Sequence, residues 1–384
     1  MDIEHVRSRF IKHFDGTTGF IYASPGRINL IGEHTDYNGG FVFPGAVDKG
    51  MIAEIKPNGT DKVRAYSIDL KDYVEFGLNE EDAPRASWAR YIFGVCREMI
   101  KRGVDVKGFN TAFSGDVPLG AGMSSSAALE STYAFALNEL FGENKIDKFE
   151  LAKVGQATEH NYCGVNCGIM DQFAVAMGRK NRAIFLDTST LDYQYVNVEL
   201  EHARIVITNS MVKHSLVDSG YNARRRESET ALHDLQQAAD IRSLGELTEE
   251  EFEKLKGAVA DPVCRKRARH AVYENRRTIR AVEALNAGHI EEFGKLMNES
   301  HISLRDDYEV SCEEVDALVE CAWELPGVIG SRITGGGFGG CTVSIVENDA
   351  VEQFRETVIR KYREKTGLTA EIYVADIGDG AREL

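Results

Sequence analysis

The segment Pro118-Leu119-Gly120-Ala121-Gly122-Met123-Ser124-Ser125-Ser126-Ala127-Ala128 constrains the fold of this chain more than any other. It joins a glycine-rich turn to a run that predicts a helix over 127–140. A helix start leaves backbone N–H groups unpaired and carries partial positive charge, and glycines let the preceding backbone aim further N–H groups at one spot. The segment therefore predicts a phosphate-binding site, to which three serines contribute hydroxyl groups. A glycine turn with a serine N-cap is the alternative.

Two common nucleotide motifs do not describe this segment. A P-loop needs Gly-Lys-Ser/Thr after its glycines, and no lysine occurs over 118–141. The dinucleotide fingerprint spaces its three glycines differently. A different nucleotide-binding fold is therefore expected.

Composition excludes several classes of protein. The chain has 384 residues, is 43% hydrophobic and carries a net charge of -16, so we expect about two domains and neither a nucleic-acid nor an anionic-membrane partner. Residues 1–14 lack the apolar core of a signal peptide, and no run approaches the roughly 18 apolar residues of a membrane span. We expect a cytoplasmic protein.

Its seven scattered cysteines are expected to be free thiols, and a zinc site at Cys163 and Cys167 is disfavoured because no second pair lies near.

Hydrophobic patterning divides the chain near residue 200. Strands are predicted at 20–23, 41–47, 51–55, 63–68, 73–78, 109–113, 183–186, 193–198, 204–208, 341–346 and 370–374, and helices at 88–101, 127–140, 148–160, 222–239, 265–287, 290–299, 313–324 and 351–366. Ala287-Gly288 is a predicted helix C-cap and Asn38-Gly39-Gly40 a predicted turn. We expect an α+β protein with one domain over 1–200 and a helix-richer one over 201–384.

Residues 26–40 concentrate polar groups between glycines. Arg27, Asn29, Glu33, His34, Asp36 and Asn38 follow one another closely there. Carboxylates accept hydrogen bonds from hydroxyls and a histidine can donate or accept, so the spacing suits a polyhydroxylated ligand. A polar hairpin tip is the alternative.

Two acids further along also suggest chemistry. Asp171 is flanked by apolar residues in Gly168-Ile169-Met170-Asp171-Gln172-Phe173, so it either pairs with a cation or serves a function. A helix-capping role is the alternative. Glu159, at the end of a predicted helix, could complete a Mg²⁺ site with a serine hydroxyl, since Mg²⁺ prefers oxygen ligands.

A third glycine-rich segment, Thr334-Gly335-Gly336-Gly337-Phe338-Gly339-Gly340, precedes an apolar strand. Each glycine costs roughly 0.5–1 kcal/mol relative to Ala in regular structure. Close approach of the backbone to a ligand is the usual compensation. A flexible hairpin is the alternative, but the strand that follows favours an anchored loop.

Taken together, these segments resemble the GHMP kinases, and within them the branch that phosphorylates galactose. Residues 26–37 are similar to the sugar motif of that branch, 118–128 to the family's phosphate loop and 334–340 to its third motif. Order, spacing and length fit over essentially the whole chain. Met123 and Asn166 depart mildly from the Leu and Pro expected there.

The resemblance implies a fold and an activity. The fold is a two-domain α+β GHMP kinase, with an N-terminal domain like domain 2 of ribosomal protein S5, a C-terminal ferredoxin-like domain and the active site in the cleft between them. The activity is transfer of phosphate from ATP, with Mg²⁺, to the C1 hydroxyl of α-D-galactose, the first committed step of the Leloir pathway. The implied partners are galactose and MgATP, without nucleic acid or membrane, and the implied state is a monomer or weak dimer.

The resemblance also implies roles for individual residues. Asp171 would take the proton of the C1 hydroxyl, while Arg27 would keep Asp171 ionised and steady the developing charge. Residues implied to hold the other sugar hydroxyls are Glu33, His34, Asp36, Gly168 and Tyr221. Ser126 or Ser125 and Glu159 would bind Mg²⁺. The phosphates would be wrapped by Gly120, Ala121, Gly122, Met123, Ser124, Ser125 and Ser126, with Trp88 and Tyr91 near adenine and Gly336 and Gly337 approaching the substrates.

Two other functions remain alternatives. Some relatives bind sugar and ATP only to signal to a partner, after losing part of the phosphate loop. Here Ser124 to Ala128, Arg27 and Asp171 are all present, which favours an enzyme. Within the enzymes, a kinase for another sugar such as N-acetylgalactosamine stays open, whereas mevalonate and homoserine suit the Glu33, His34 and Asp36 cluster less well.

Overall fold

The computed structural model describes residues 2–14, 16–117, 122–198, 200–212 and 217–384, with the backbone alone for 217–219. Its helices are α1 (Ile3–His13), α2 (Ser87–Lys101), α3 (Ser125–Phe141), α4 (Lys148–Thr158), α5 (Met170–Met177), α6 (Val217–Gln236), α7 (Glu249–Leu255), α8 (Pro262–Asn286), α9 (Ile290–Asp306), α10 (Glu313–Trp323) and α11 (Val351–Thr366). Its strands are β1 (Phe20–Asn29), β2 (Phe41–Val42), β3 (Pro44–Pro57), β4 (Lys62–Ser67), β5 (Asp72–Gly77), β6 (Phe109–Gly115), β7 (Arg182–Asp187), β8 (Tyr193–Asn197), β9 (Ala203–Asn209), β10 (Val328–Thr334), β11 (Cys341–Glu347), β12 (Glu371–Ala375) and β13 (Arg382–Glu383).

The first half is built on a six-stranded sheet in the order β13-β1-β3-β6-β4-β5. Successive side chains of a strand face opposite sides. On β3, Ala53 and Ile55 therefore join the core formed with α2, α3 and α4, whereas Ile52 packs against Val6 and Phe10 of α1. A separate sheet, β2-β7-β8, lies beside it.

The second half is built on an antiparallel sheet in the order β10-β11-β9-β12. Ile205 and Ile207 of β9 face a core shared with α8 and α9. Val206, between them, faces α10 and α11 instead. This alternation explains why β9 is apolar along most of its length and has no single polar face.

The two halves share a core and several hydrogen bonds. Ile28 of β1 packs in the same cluster as Val343 of β11. Asn29 is tied to the second half because its N–H donates to Thr334 Oγ1 (3.2 Å) and its carbonyl accepts from Arg332 Nη1 (2.8 Å). The chain also returns at its end, where β13 pairs with β1. The sugar motif, which begins at the end of β1, is thereby held against the third glycine-rich segment, which begins at the last residue of β10.

Most predicted elements are confirmed, and the differences have physical causes. The predicted strands at 41–47 and 51–55 are wrong as separate elements, because β3 runs continuously through Gly50, paired with β1 on one side and β6 on the other. The predicted helix at 148–160 ends early, at Thr158, and Glu159–Cys163 form one π-helical turn. Asn38–Gly40 forms the predicted turn, and Ala287 caps α8 with Gly288 at φ 76°. Within the described part of the chain, every helix is too short or too polar to span a bilayer.

Helix α9 crosses β10 at unusually close range, which makes Gly294 a sensitive position. A Cβ there would lie 2.1 Å from the Ile329 carbonyl oxygen. We expect Gly294→Ala to destabilise the protein by about 1–3 kcal/mol because the helix must move off the strand, although helix propensity alone predicts a gain. Urea denaturation measures the change.

Gly257→Ala is the matched control for that substitution. No heavy atom lies within 4 Å of a Cβ built at Gly257, so its midpoint should stay close to that of the wild type. Equal midpoints for the two variants would show that α9 tolerates the extra methyl group.

Candidate active site

A pocket of about 200 Å³ lies where the two halves meet. Its walls come from the end of β1 and the turn after it, α2, the start of α3, the π-helical turn and the loop after it, α5, α6 and the loop after β10. The predicted site residues that line it are Arg27, Glu33, His34, Asp36, Tyr91, Ser126, Glu159, Gly168, Asp171, Tyr221 and Gly336. Segments far apart in sequence therefore converge on one site.

Arg27 and Asp171 form a two-pronged ion pair at this pocket. Arg27 Nε donates to Asp171 Oδ1 at 2.7 Å and Nη2 to Oδ2 at 2.6 Å. The third guanidinium arm, Nη1, donates to the carbonyl of Gly122. The Arg27 side chain is 4% exposed and that of Asp171 is 29% exposed. The fork fixes the direction of the carboxylate and leaves part of it open to the pocket.

Local structure explains the position of each partner. Asp171 lies in the first turn of α5, where the helix dipole favours an anion. Arg27 lies near the end of β1, just after a register shift, and its N–H donates to the Met123 carbonyl at 3.1 Å. A Cβ at Gly26 would lie 2.6 Å from that same carbonyl oxygen. Glycine at 26 therefore lets β1 closely approach residues 122–126, here called the serine turn.

Ser124 contacts the same carboxylate. Its backbone is left-handed, with φ 56° and ψ 56°, a conformation that costs a non-glycine residue roughly 1–2 kcal/mol. Its hydroxyl donates to Asp171 Oδ2. The serine turn is therefore bonded to both members of the pair, through Gly122 and through Ser124. The phosphate contacts assigned to Gly122, Met123, Ser124 and Ser125 stay predictions, and Gly120 and Ala121 lie outside the described residues.

Glu33 anchors the third glycine-rich segment. Its Oε1 accepts from the Gly335 N–H at 2.7 Å and from Thr334 Oγ1 at 3.1 Å. Arg332 Nη2 lies 3.2 Å from the same oxygen, with both side chains buried. This carboxylate, which lines the pocket, is therefore held in place by the loop that closes it.

Helix α8 supports the sugar motif from behind with residues that sequence reasoning missed. Glu274 Oε1 accepts from the Gly32 N–H at 3.0 Å, and His270 Nε2 lies 3.0 Å from the Glu33 carbonyl. Burial would raise the pKa of Glu274, but Arg277, His270 and Arg332 outweigh it and lower that pKa to about 2. A sequence signal existed, because His270, Glu274 and Thr278 recur at helical spacing within a predicted helix. The structure shows that all three are fully buried.

His34 and Asp36 line the part of the pocket that is predicted to hold the sugar, here called the sugar side. Burial and the neighbouring Asp171 and Glu33 raise the pKa of Asp36 to about 7, and burial lowers the pKa of His34 to about 3. Tyr221 closes this side, with its ring 5.4 Å from that of His34. A wall of acids, a neutral imidazole and aromatic rings suits a neutral, hydroxyl-rich ligand.

Ser126 and Glu159 line the same pocket and offer oxygen ligands. No group of three or more His, Cys, Asp and Glu side chains that could hold a metal is found among the described residues. Mg²⁺ rarely needs one, since it keeps waters and binds substrate phosphates beside one or two carboxylates. One turn after Ser126, Glu130 is fully buried with Oε1 unpaired, and burial and Glu159 raise its pKa. This crowding of acids fits a divalent cation.

The remaining predicted residues are divided between the pocket and its surroundings. Tyr91 lines the pocket, whereas Trp88 is 8% exposed within the first core and donates from Nε1 to Asp72 Oδ2 at 2.8 Å. Gly336 lines the pocket, whereas a Cβ at Gly337 would lie 2.4 Å from the Val310 carbonyl. Contacts of Trp88 with adenine and of Gly337 with substrates stay predictions. Pocket residues to which the sequence analysis assigned no role in the site are Val165, Cys167, Met170, Gln172 and Gly335.

Comparisons with known protein families agree with this geometry. A family model described as the galactokinase galactose-binding signature matches residues 8–57. The GHMP kinases N terminal domain matches 90–179 and the GHMP kinases C terminal model matches 281–364. Fold and site together therefore define a GHMP kinase, which confirms the predicted fold class.

Whole-chain similarity narrows the class. The chain is 49% identical to the galactokinase of Clostridium acetobutylicum, over 99% of this chain and 98% of that one, and 51% identical to that of Fusobacterium nucleatum, over 94% of each. The crystal structure of Lactococcus lactis galactokinase complexed with galactose is 43% identical, covers 98% of both chains and has a TM-score of 0.95. The chain belongs to the galactokinases.

Proposed function

We propose that this protein transfers the terminal phosphate of ATP to the C1 hydroxyl of α-D-galactose, giving galactose 1-phosphate and ADP. The observation that carries the proposal is the Arg27–Asp171 fork, which lies in one pocket with the sugar motif and the start of α3. A galactokinase complexed with galactose, similar over nearly the whole chain, supports the choice of sugar.

Asp171 acts as the base in this proposal and Arg27 as its partner. A carboxylate that is partly open to the pocket can accept the proton of the attacking hydroxyl. The transition state of phosphoryl transfer is loose, so positioning and charge neutralisation matter more than covalent help. Arg27 does both, because its fork orients the carboxylate and its charge offsets the charge that develops nearby.

The other groups bind and orient the two substrates. Glu33, His34, Asp36, Gly168 and Tyr221 would hold the remaining sugar hydroxyls. The serine turn and the start of α3 would seat the phosphates. Mg²⁺, held by Ser126 and Glu159, would neutralise charge on the phosphates as they react.

An ADP-release assay with a panel of sugars tests the proposal. Galactose should trigger ADP release in the presence of MgATP, whereas a protein that only senses sugar would bind both ligands without releasing ADP. A higher kcat/KM for N-acetylgalactosamine than for galactose would reassign the substrate. No release with any sugar would refute kinase activity.

Gly168 offers a test of the sugar side alone. A Cβ at Gly168 would lie 1.8 Å from Asp36 Oδ2, so Gly168→Ala should displace that carboxylate. Loss of a hydrogen bond to a charged group costs about 1.5–3 kcal/mol, so we expect the KM for galactose to rise roughly 10- to 100-fold while the KM for ATP stays within about twofold.

Gly168→Ala is compared with Asp36→Ala and with the variant that carries both substitutions. Since both single changes remove the same contact, their effects on galactose KM should not add. Additive effects, or an equal rise in the KM for ATP, would mean that Gly168 does not act through Asp36.

Four features of the proposal rest on the sequence. These are the domain boundary near residue 200, the cytoplasmic location, the monomer or weak dimer and the dependence on Mg²⁺. The return of β13 to the first sheet means that a cut at 200 separates paired strands, so expression of the two halves apart would test the boundary.

A further inference from the structure

A chain of hydroxyl groups runs from helix α6 to the sugar side of the pocket. Ser228 Oγ lies 2.9 Å from the Tyr308 hydroxyl. The Tyr308 hydroxyl lies 2.7 Å from that of Tyr37, which lies 2.7 Å from His34 Nδ1. Of these four residues, only His34 lines the pocket. The three hydroxyls therefore act on a ligand only through the imidazole.

The imidazole at the end of this chain is neutral and has one unused nitrogen. Burial, with His270 nearby, lowers the pKa of His34 to about 3, so the ring carries a single N–H at physiological pH. His34 is 4% exposed, and its Nε2 has no hydrogen-bond partner among the described residues. Its backbone φ is 60°, a left-handed value that is strained for a residue other than glycine. In this conformation the ring lines the pocket.

Two observations decide which nitrogen carries the proton. An acceptor on the Gly336 backbone lies near the imidazole, and because Nδ1 contacts Tyr37, this acceptor is on the Nε2 side, in a pocket that the Glu33 and Asp36 carboxylates also line. Arg224 and Arg332 act on the ring as well and favour its neutral form. A lone pair there would be repelled, whereas an N–H would be attracted. At the other end, the Ser228 hydroxyl is fully buried, and its contact with Tyr308 is the one found within the described chain. If Ser228 donates to Tyr308, then Tyr308 donates to Tyr37 and Tyr37 donates to Nδ1, and all three hydroxyl hydrogens are paired. The reverse order would leave the Ser228 hydrogen without an acceptor among the contacts of the described residues, so we infer the first order.

We propose that Ser228, Tyr308 and Tyr37 are positioning residues that hold His34 as its Nε2–H tautomer, so that His34 donates a hydrogen bond to one oxygen of the sugar. This inference rests on the proposed function and deepens it. Glu33 and Asp36 accept from sugar hydroxyls, and His34 supplies a donor among them. A site with a fixed donor rejects an analogue that lacks the matching acceptor.

The proposal predicts a specific pattern among sugar analogues. A fluorine atom accepts a hydrogen bond weakly but cannot donate one. At the ring position that His34 contacts, the deoxyfluorogalactose should therefore have a higher kcat/KM than the deoxygalactose. At ring positions whose hydroxyls donate to Glu33 or Asp36, the deoxy and the deoxyfluoro sugar should show the same loss of kcat/KM, because neither can donate.

The first experiment measures the tautomer directly. Long-range ¹H–¹⁵N correlation spectra of the full-length protein, labelled at its 10 histidines, distinguish protonated from unprotonated ring nitrogens. His34→Gln assigns the signal. We expect an Nε2–H pattern for His34, and a change towards mixed tautomers in Tyr37→Phe. Tyr73→Phe is the control, since Tyr73 is 48% exposed and outside the chain of hydroxyls.

The second experiment measures selectivity. In Tyr37→Phe, the preference for galactose over the critical deoxygalactose should fall about tenfold, as for loss of one hydrogen bond, while the KM for ATP stays within twofold. Ser228→Ala, at the far end of the chain, should shift selectivity in the same direction by less. A purely structural role would lower stability and leave the ratio between the two sugars unchanged.

Each outcome decides the inference. An Nδ1–H pattern for His34 in the wild type, or unchanged selectivity in Tyr37→Phe, overturns it. If Tyr37→Phe does not fold, the wild-type spectrum and Ser228→Ala still decide. Because the spectrum needs no turnover, an Nε2–H tautomer in a protein that releases no ADP would refute the proposed function and leave the tautomer assignment standing.

Discussion

Asp171→Asn is expected to lower kcat by about 10²- to 10⁴-fold, the usual contribution of a positioned base, while ATP still binds. Asparagine keeps the shape of the side chain and can still accept from Arg27. It cannot take the proton of the sugar hydroxyl at neutral pH. Steady-state kinetics with saturating galactose and isothermal titration with ATP measure the two quantities.

Stability measurements separate chemistry from folding for this variant. Because Asp171 neutralises the buried Arg27 guanidinium, the substitution should also lower the melting temperature, so kcat is measured at a temperature at which the variant is folded. Asp105→Asn is the control, because that acid is exposed and pairs with Lys107 at 2.6 Å on the surface. A kcat within threefold of the wild type would remove Asp171 from the mechanism.

Arg27→Lys is expected to have the second largest effect, a fall in kcat/KM of about 10²-fold or more. Arginine makes three contacts at once, two with Asp171 and one with the Gly122 carbonyl. A lysine ammonium is a point charge and cannot form a fork with the carboxylate while also reaching Gly122. We therefore expect a mispositioned base as well as a weaker tie to the serine turn.

Comparison with further variants isolates this effect. Arg27→Met, which also removes the charge, should be worse than Arg27→Lys. In the Asp171→Asn background, Arg27→Lys should cost much less than it does alone, because the two residues act as a unit. Arg97→Lys is the control, since Arg97 donates to a backbone carbonyl away from the pocket. Equal losses in both backgrounds would show that Arg27 acts independently of Asp171.

The elements easiest to predict were those with a regular apolar period. Helix α2 was predicted at 88–101 and is Ser87–Lys101, and α11 was predicted at 351–366 and is Val351–Thr366. Strand β10 was missed because its sequence, Val-Ile-Gly-Ser-Arg-Ile-Thr, contains residues that do not suggest a buried strand. Arg332 is nevertheless fully buried there. Two of its partners, Glu33 and Asn29, lie about 300 positions earlier, so no local pattern reveals them.

The serine turn shows the same limit at the level of a single hydroxyl. Its composition predicts a phosphate-binding site, and composition alone gives no reason to assign different roles to the three adjacent serines. In the structure, Ser124 donates to Asp171, while Ser126 lines the pocket. Among the three serines, only Ser124 has a left-handed backbone, with φ 56°. Backbone conformation at one residue is decided by what packs around it.

Residue identity and spacing alone determined the family, the kind of reaction and the set of side chains able to perform it, because glycine turns, serine runs and clustered acids are local in sequence. Tertiary structure decided which of those side chains touch: the grip of Arg27 on Asp171, the support of α8 behind the sugar motif and the hydroxyl chain behind His34. The physical reason is that hydrogen bonds and ion pairs depend on distances of about 3 Å between groups, and only the packed fold brings groups from distant segments that close.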